Sequence, residues 1–217
     1  MTIQEQPKMS IGRQEQKELT RRRLIEATKE SIANDGFSGT TLAKVANSIG
    51  LSQGVVNFHF QSKEQLLQET LRQLANEVLA LCTDAVSDES DTAANRLVAL
   101  IRCILSPQLT NHLDSSIWHG YWGEAKSRHD YIEICAGLDQ QLDDMFVTLC
   151  ENIKMEGNYS DVDCRYVVDG VGALISGFDL QVLLEPQLFK WEKALQSCVD
   201  FLSVYFPNHF KRGVLPD

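Results

Sequence analysis

The chain is predicted to be all-α, with an N-terminal three-helix helix-turn-helix domain (residues 1–65) followed by a larger helical domain (residues 66–217). Three observations predict it. Two short helical patterns broken by a glycine lie between Thr40 and Leu67. Everything beyond residue 66 carries helical periodicity, with no convincing strand and no internal repeat. Charge also divides at the same place. Residues 1–65 hold nine Lys/Arg against seven Asp/Glu, a balance of +2, while residues 66–217 hold eleven against twenty-three, a balance of −12.

In the stretch T-T-L-A-K-V-A-N-S-I-G-L-S-Q-G-V-V-N-F-H-F-Q-S-K-E-Q-L-L, Thr40 or Thr41 caps a helix whose Leu42, Val45, Ala46 and Ile49 share one apolar face. Gly50 supplies the left-handed turn that ends it. Ser52 caps a second helix, Gln53 to about His59. Its Val55, Val56 and Phe58 cannot all point inward, which leaves surface for a partner. A tight helix–Gly–helix unit is either a plain αα-hairpin or a helix-turn-helix, whose second helix enters the DNA major groove. Ser62 and Gln65 then form an S-x-x-Q capping box for the next helix. Lys63 sits in its first turn, where a cation gains nothing from the helix dipole and is better explained by a phosphate. Arg13, Lys17, Arg21, Arg22 and Arg23 precede this unit. Such a cluster is commonly a solvated helix face, but beside a helix-turn-helix it reads as a surface along phosphates. The acidic remainder would be repelled by DNA and help to orient the molecule.

Leu66, Leu67, Leu71, Leu74, Val78, Leu79 and Leu81 predict a helix to about Val86. Asp91 is a plausible cap for the next, which carries Ala94, Leu97, Val98, Ile101 and Leu105 before Pro107 stops it. A helix from about Ile117 to Lys126 is weakened by Gly120 and Gly123. An amphipathic span follows from about His129 to Met155, ending near Gly157. Ser160 or Asp161 starts another helix, and Pro186 sits where a proline can open the last, which runs to about Phe206. Around Gly170 to Leu184 the apolar residues fall on several sides, as in a helix buried on more than one face. A central core helix and a dimer seam both satisfy that pattern.

At 217 residues and 43% apolar content the chain can bury a real core. No apolar run reaches transmembrane length, and the N-terminus lacks the hydrophobic segment of a signal peptide, so the expected location is cytoplasmic, with no membrane partner. The six cysteines are at least fourteen positions apart, which excludes a C-x-x-C motif and suits small core residues. The five histidines show no H-E-x-x-H spacing, and no Ser/His/Asp or Cys/His grouping can be argued. No metal, cofactor or catalytic site is expected, which disfavours an all-helical enzyme; an interaction module without DNA binding stays open.

The pattern T-T-L-x-x-V-A, G-L-S-x-G, H-F-x-x-K-x-x-L-L resembles the N-terminal domain of TetR-family transcriptional regulators, and Leu24 to Gly36 resembles that family's first helix. The sequence departs from the family at Asn57, where an aromatic residue is usual. The resemblance implies a ligand-responsive repressor that binds a pseudo-palindromic double-stranded DNA operator as a homodimer. Its DNA-facing residues are then Arg22, Thr41, Lys44, Ser52, Gln53, Gly54, Val55, Asn57, Phe58, His59 and Lys63. The dimer seam falls at Gly170, Leu174, Gly177, Leu180 and Leu184. The segment S-S-I-W-H-G-Y-W-G-E-A (Ser115 to Ala125) places Trp118, Tyr121 and Trp122 three and four residues apart, on one helix side. Such a stripe is either core or the wall of an effector pocket, since aromatic faces hold cations. Glu124, Asp139, Asp143 and Asp179 are candidate counter-charges. This segment resembles the TetR subgroup that represses glycine-betaine synthesis and responds to choline, as does Gly172 to Phe178 (G-A-L-I-S-G-F). Asp179 stands where that subgroup tends to be apolar.

Overall fold

The structure, a computed structural model, describes residues 12–123 and 128–215. The described residues form helices and connecting turns without a strand. They fall into two compact units, residues 1–70 and 71–217.

In the first unit, α1 runs Arg13–Gly39, α2 Leu42–Ser48 and α3 Gln53–His59, and α4 (Lys63–Ala85) begins here. The whole basic cluster therefore lies on α1, which starts earlier than the resemblance to Leu24–Gly36 suggests. Gly36 (φ 70°, ψ 176°) interrupts α1 near its end, a conformation that a Cβ would disfavour. Thr40 bonds back to the Gly36 carbonyl, and it is Thr41 that caps α2, accepting from the Lys44 amide. Gly50, at φ 70°, makes the turn between α2 and α3. Ser52 occupies the N-cap position of α3 with extended backbone, but its hydroxyl makes no capping bond, contrary to expectation. The capping box at α4 is a variant. The Gln65 amide bonds the Ser62 hydroxyl, while the Gln65 side chain accepts from the amide of Gln61 rather than Ser62. Leu24, Ile25, Val45, Ala46, Val56, Phe60 and Leu66 close one small core.

In the second unit, α5 spans Ala93–Ile104, α6 His112–Gly123, α7 Arg128–Gly157, α8 Cys164–Leu184 and α9 Trp191–Tyr205. Several starts differ from the sequence reading. Thr92, not Asp91, caps α5; Asp91 instead holds the Thr92 amide and the Asn95 side chain. Asp163 caps α8 by accepting from the Arg165 and Tyr166 amides, so Ser160 and Asp161 lie in the preceding turn. Pro186 sits in a turn, and α9 opens only at Trp191. In each case a better-placed side chain or a tight turn takes the role that local pattern offered to a neighbour.

The apolar face of α5 (Ala94, Leu97, Val98, Ile101) meets α7 and α9 in the main core, which also takes in residues of α8. Burying such side chains fully contributes about 1.5–3 kcal/mol each. Five cysteines are buried and Cys103 is half-buried. Burial pushes the Cys82, Cys135, Cys150, Cys164 and Cys198 thiols up to about 12, so they behave as small core residues rather than reactive thiols. One correction concerns α8. With a mean hydropathy of 1.6 it is long and apolar enough to cross a membrane by composition alone, against the expectation that no run reaches that length. Its carboxylates are diluted in that average by Val, Leu and Ile. Asp179 is nonetheless built into the fold against His119, while Asp169 pairs with Arg165 on the exposed side of the helix.

Candidate functional site

Two surfaces stand out, one in each unit. In the first, α3 buries Val56 completely and sends Gln53, Asn57 and Phe58 outward, with Phe58 72% exposed. Ser52 and Gly54 are exposed, and Val55 is half-buried at the edge. The helix thus splits into an anchoring side and an exposed side that carries an amide at Gln53, an amide at Asn57 and the Phe58 ring. The Lys17 ammonium lies 5.5 Å from the Phe58 ring centre and supports it from α1. His59 is half-buried with Nδ1 lacking a hydrogen-bond partner. Burial first, then the charges of Lys17 and Arg21, push its pKa down, which favours the neutral ring.

The cations sort by what already holds them. Arg22 is exposed on α1. Arg21 pairs with Glu69 and stacks on Phe60, so it braces the unit. Lys44 pairs with Asp35 at 2.6 Å, so a phosphate would have to compete for it. Lys63 corrects the reasoning from the helix dipole, because its ammonium donates to the Phe37 carbonyl, just past the break at Gly36. An internal acceptor explains the lysine in the first turn of α4 without an outside anion.

In the second unit a cavity of about 170 Å³ opens between α4, α5, α6, α7 and α8. Trp118 and Trp122 of α6 line it together with Tyr131 of α7, and Val78, Ile104, Leu109, Leu138, Leu142 and Ile175 supply an apolar wall. The three aromatics meet edge to face. Trp118 and Trp122 lie 6.1 and 5.8 Å from Tyr131, and the Tyr131 hydroxyl shares a hydrogen bond with Trp122. Burial pushes Tyr131 up to about 12, so it stays a neutral phenol. Tyr121 is a correction. It is 1% exposed, turned into the core and absent from the cavity wall. At 100° per residue, Tyr121 stands about 60° from Trp118 on one side and Trp122 about 40° from it on the other, and that separation of about 100° turns Tyr121 inward while Trp122 stays at the cavity.

The acidic candidates also separate. Asp139 and Asp179 line the cavity, Asp143 pairs with Arg165 away from it, and Glu124 lies outside the described residues. Burial raises the Asp139 carboxyl above its ordinary range. Asp179 Oδ1 accepts from the Ser115 hydroxyl at 2.5 Å, and Oδ2 lies 2.9 Å from His119 Nε2. No lysine or arginine is among the described lining residues. Tyr131 was missed because the signal used, spacing along one helix, cannot reach a residue on the next.

Along α8, Gly177, Leu180 and Leu184 are exposed, and Leu174 packs partly against the core. Gly170 differs, because a Cβ there would meet Phe201 of α9 at 2.4 Å. Its smallness is explained within the chain.

A family model described as "BetI-type transcriptional repressor, C-terminal" matches residues 93–207, and one described as "Bacterial regulatory proteins, tetR family" matches residues 24–70. The chain belongs to the TetR family. It is a transcriptional regulator of TetR/BetI type, not an enzyme. An HTH-type transcriptional regulator BetI of Pectobacterium carotovorum is 27% identical over 187 residues, covering 85% of this chain and 92% of that protein. The BetI of Burkholderia thailandensis is 26% identical, covering 87% and 94%. Among solved structures, a transcriptional regulator from Pseudomonas aeruginosa PAO1 shares the fold with a TM-score of 0.76 at 23% identity, over 89% of this chain and 95% of that one. A regulator from Saccharomonospora viridis in complex with choline has a TM-score of 0.75 at 22% identity, over 86% and 96%.

Proposed function

We propose that this protein is a cytoplasmic homodimeric repressor released from its operator by a small organic cation of the choline class. In this reading residues 1–65 form the DNA-binding domain and residues 66–217 the effector-binding and dimerisation domain. The observation that carries the effector is the cavity wall. It combines three aromatic rings with two carboxylates and has no cation among its described lining residues. A quaternary ammonium gains from ring faces and loses little hydration on entering such a box. The size agrees, since about 170 Å³ far exceeds the room for one water but falls short of the roughly 300–1,000 Å³ typical of drug-sized ligands. The choline-bound regulator of like fold supports this reading. A fatty acyl coenzyme A, held by another neighbour of like fold, suits this cavity poorly.

The exposed side of α3 is the proposed reading surface. Gln53, Val55, Asn57 and Phe58 would address base edges and thymine methyls, Ser52, Gly54, Thr41, His59 and Arg22 would meet the backbone, and Lys44 and Lys63 would do so only by giving up Asp35 and the Phe37 carbonyl. The outward face of α8 at Gly177, Leu180 and Leu184 is the proposed seam with a second copy, since exposed apolar side chains on a helix of this length call for a cover. Two α3 helices one DNA turn apart then match a pseudo-palindrome. Release requires the cation to bind the off-DNA arrangement better than the on-DNA one. Selection from random-sequence DNA followed by gel shift with and without choline tests the whole reading. No selected motif sinks the regulator's DNA reading, and a motif insensitive to choline and to tetramethylammonium sinks the effector class.

A further inference from the structure

An aromatic box for a cation does not by itself require a histidine on its carboxylate, yet this cavity has one. Asp179 of α8 is gripped from α6 on both oxygens, by the Ser115 hydroxyl at 2.5 Å and by His119 Nε2 at 2.9 Å. The two side chains keep only 16% (His119) and 14% (Asp179) exposure. The His119 contact sits at ion-pair distance but lacks hydrogen-bond alignment, so a better-placed cation can displace it. The same imidazole meets the Trp122 ring edge to face at 4.7 Å. His119 therefore touches both the anion and the aromatic wall that a bound cation would use.

Resting on the cation-pocket reading above, we propose that Asp179 is the anchoring carboxylate for the effector's cation and that charged His119 is its built-in competitor, so that a proton on His119 and the effector exclude each other. A charged imidazole beside Asp179 satisfies that carboxylate and repels a second cation at Trp122. The neutral ring does neither. Acid therefore favours the empty cavity, and effector binding expels a proton.

Asp179 of α8 and the Trp122 ring of α6 are what His119 meets directly, while Asp139 and Tyr131 of α7 line the same cavity as Asp179. Tyr131 and Cys135, both pushed up to about 12 by burial, keep their protons across the neutral range. Asp139, raised by burial, loses its charge as pH falls and weakens cation binding in the same direction, so the variants must separate it from His119.

The test is calorimetric titration of choline into the full-length protein at pH 5.5, 6.5 and 8.0, in buffers of different ionisation enthalpy to count released protons. Wild type should bind about tenfold more tightly at pH 8.0 than at pH 5.5, a tenfold change being one unit of proton linkage, and should release protons at the lower pH. His119→Gln, which keeps an amide donor without a charge, should lose most of that rise and most of the proton release. Asp139→Asn should bind more weakly at every pH yet keep most of the rise and most of the proton release. Asp179→Asn, isosteric and checked by thermal melt, should bind at least about tenfold more weakly at pH 8.0, and Ser115→Ala should weaken binding in the same sense. A wild-type pH profile in His119→Gln overturns the competitor and leaves the cation pocket standing. Wild-type affinity in a folded Asp179→Asn overturns the anchor. Choline that fails to bind at any pH overturns the pocket reading, and this proposal with it.

Discussion

Tyr121 and Trp122 are chain neighbours whose replacement should produce opposite phenotypes. Tyr121 is 1% exposed within the core, whereas Trp122 is 37% exposed on the cavity rim. Truncating a buried aromatic of this size costs about 3–5 kcal/mol. At roughly 2–4 °C per kcal/mol for a chain of this length, Tyr121→Ala should melt about 6–20 °C lower than wild type. Tyr121→Phe keeps the ring and should bind choline as wild type does. Trp122→Ala removes a half-solvated side chain, so its melting temperature should fall by much less. It also removes one face of the proposed cation site, worth about 2 kcal/mol when desolvated, or roughly a thirtyfold loss of choline affinity. Circular dichroism melts read the first quantity and isothermal titration calorimetry the second, which avoids a fluorescence signal that depends on the deleted indole. A Trp122→Ala protein that melts like Tyr121→Ala would refute the separation of roles. So would a Tyr121→Phe variant of wild-type stability that no longer binds.

Arg22→Ala should weaken binding to all DNA sequences alike and reduce the slope of log K against log salt by about 0.9, without altering stability. Lys63→Ala should also lower thermal stability, because it removes the donor to the Phe37 carbonyl; an unchanged melt would show that contact to be dispensable. Replacing Gln53 or Asn57 with Ala should relax the selected operator at one position each, costing about 1–3 kcal/mol there, and an identical motif in both variants would rule out direct readout by these residues. Gly177→Arg meets open space in the single chain and should yield a folded monomer by sedimentation, whereas a wild-type dimer would dismiss this face as the seam. Gly170→Ala should instead lower stability by about 1–3 kcal/mol through its contact with Phe201, seen in a urea melt.

What the sequence determined by itself is local. The helix–Gly50–helix unit and the apolar faces of α2 and α5 follow from periodicity and from the few residues that tolerate a left-handed turn, so they were legible from spacing alone, whereas spacing said only that Val55, Val56 and Phe58 could not all point inward. The family signature in residues 40–67 is local for the same reason. Helix starts were less legible, because Thr41, Thr92 and Asp163 each had a rival capping residue within three positions and only the folded backbone selects which oxygen reaches an amide. The cavity belonged to tertiary structure. Tyr131, Asp139 and Asp179 come from two helices that no spacing rule ties to Trp118, and the packing of α6 against α7 and α8 decides that Tyr121 turns inward while its neighbour faces the cavity. Lys63 and Arg21 make the same point for charge. Each reads as a phosphate contact in one dimension, and each is held in three dimensions by a partner 26 or 48 residues away, because folding brings an acceptor within reach before any DNA arrives.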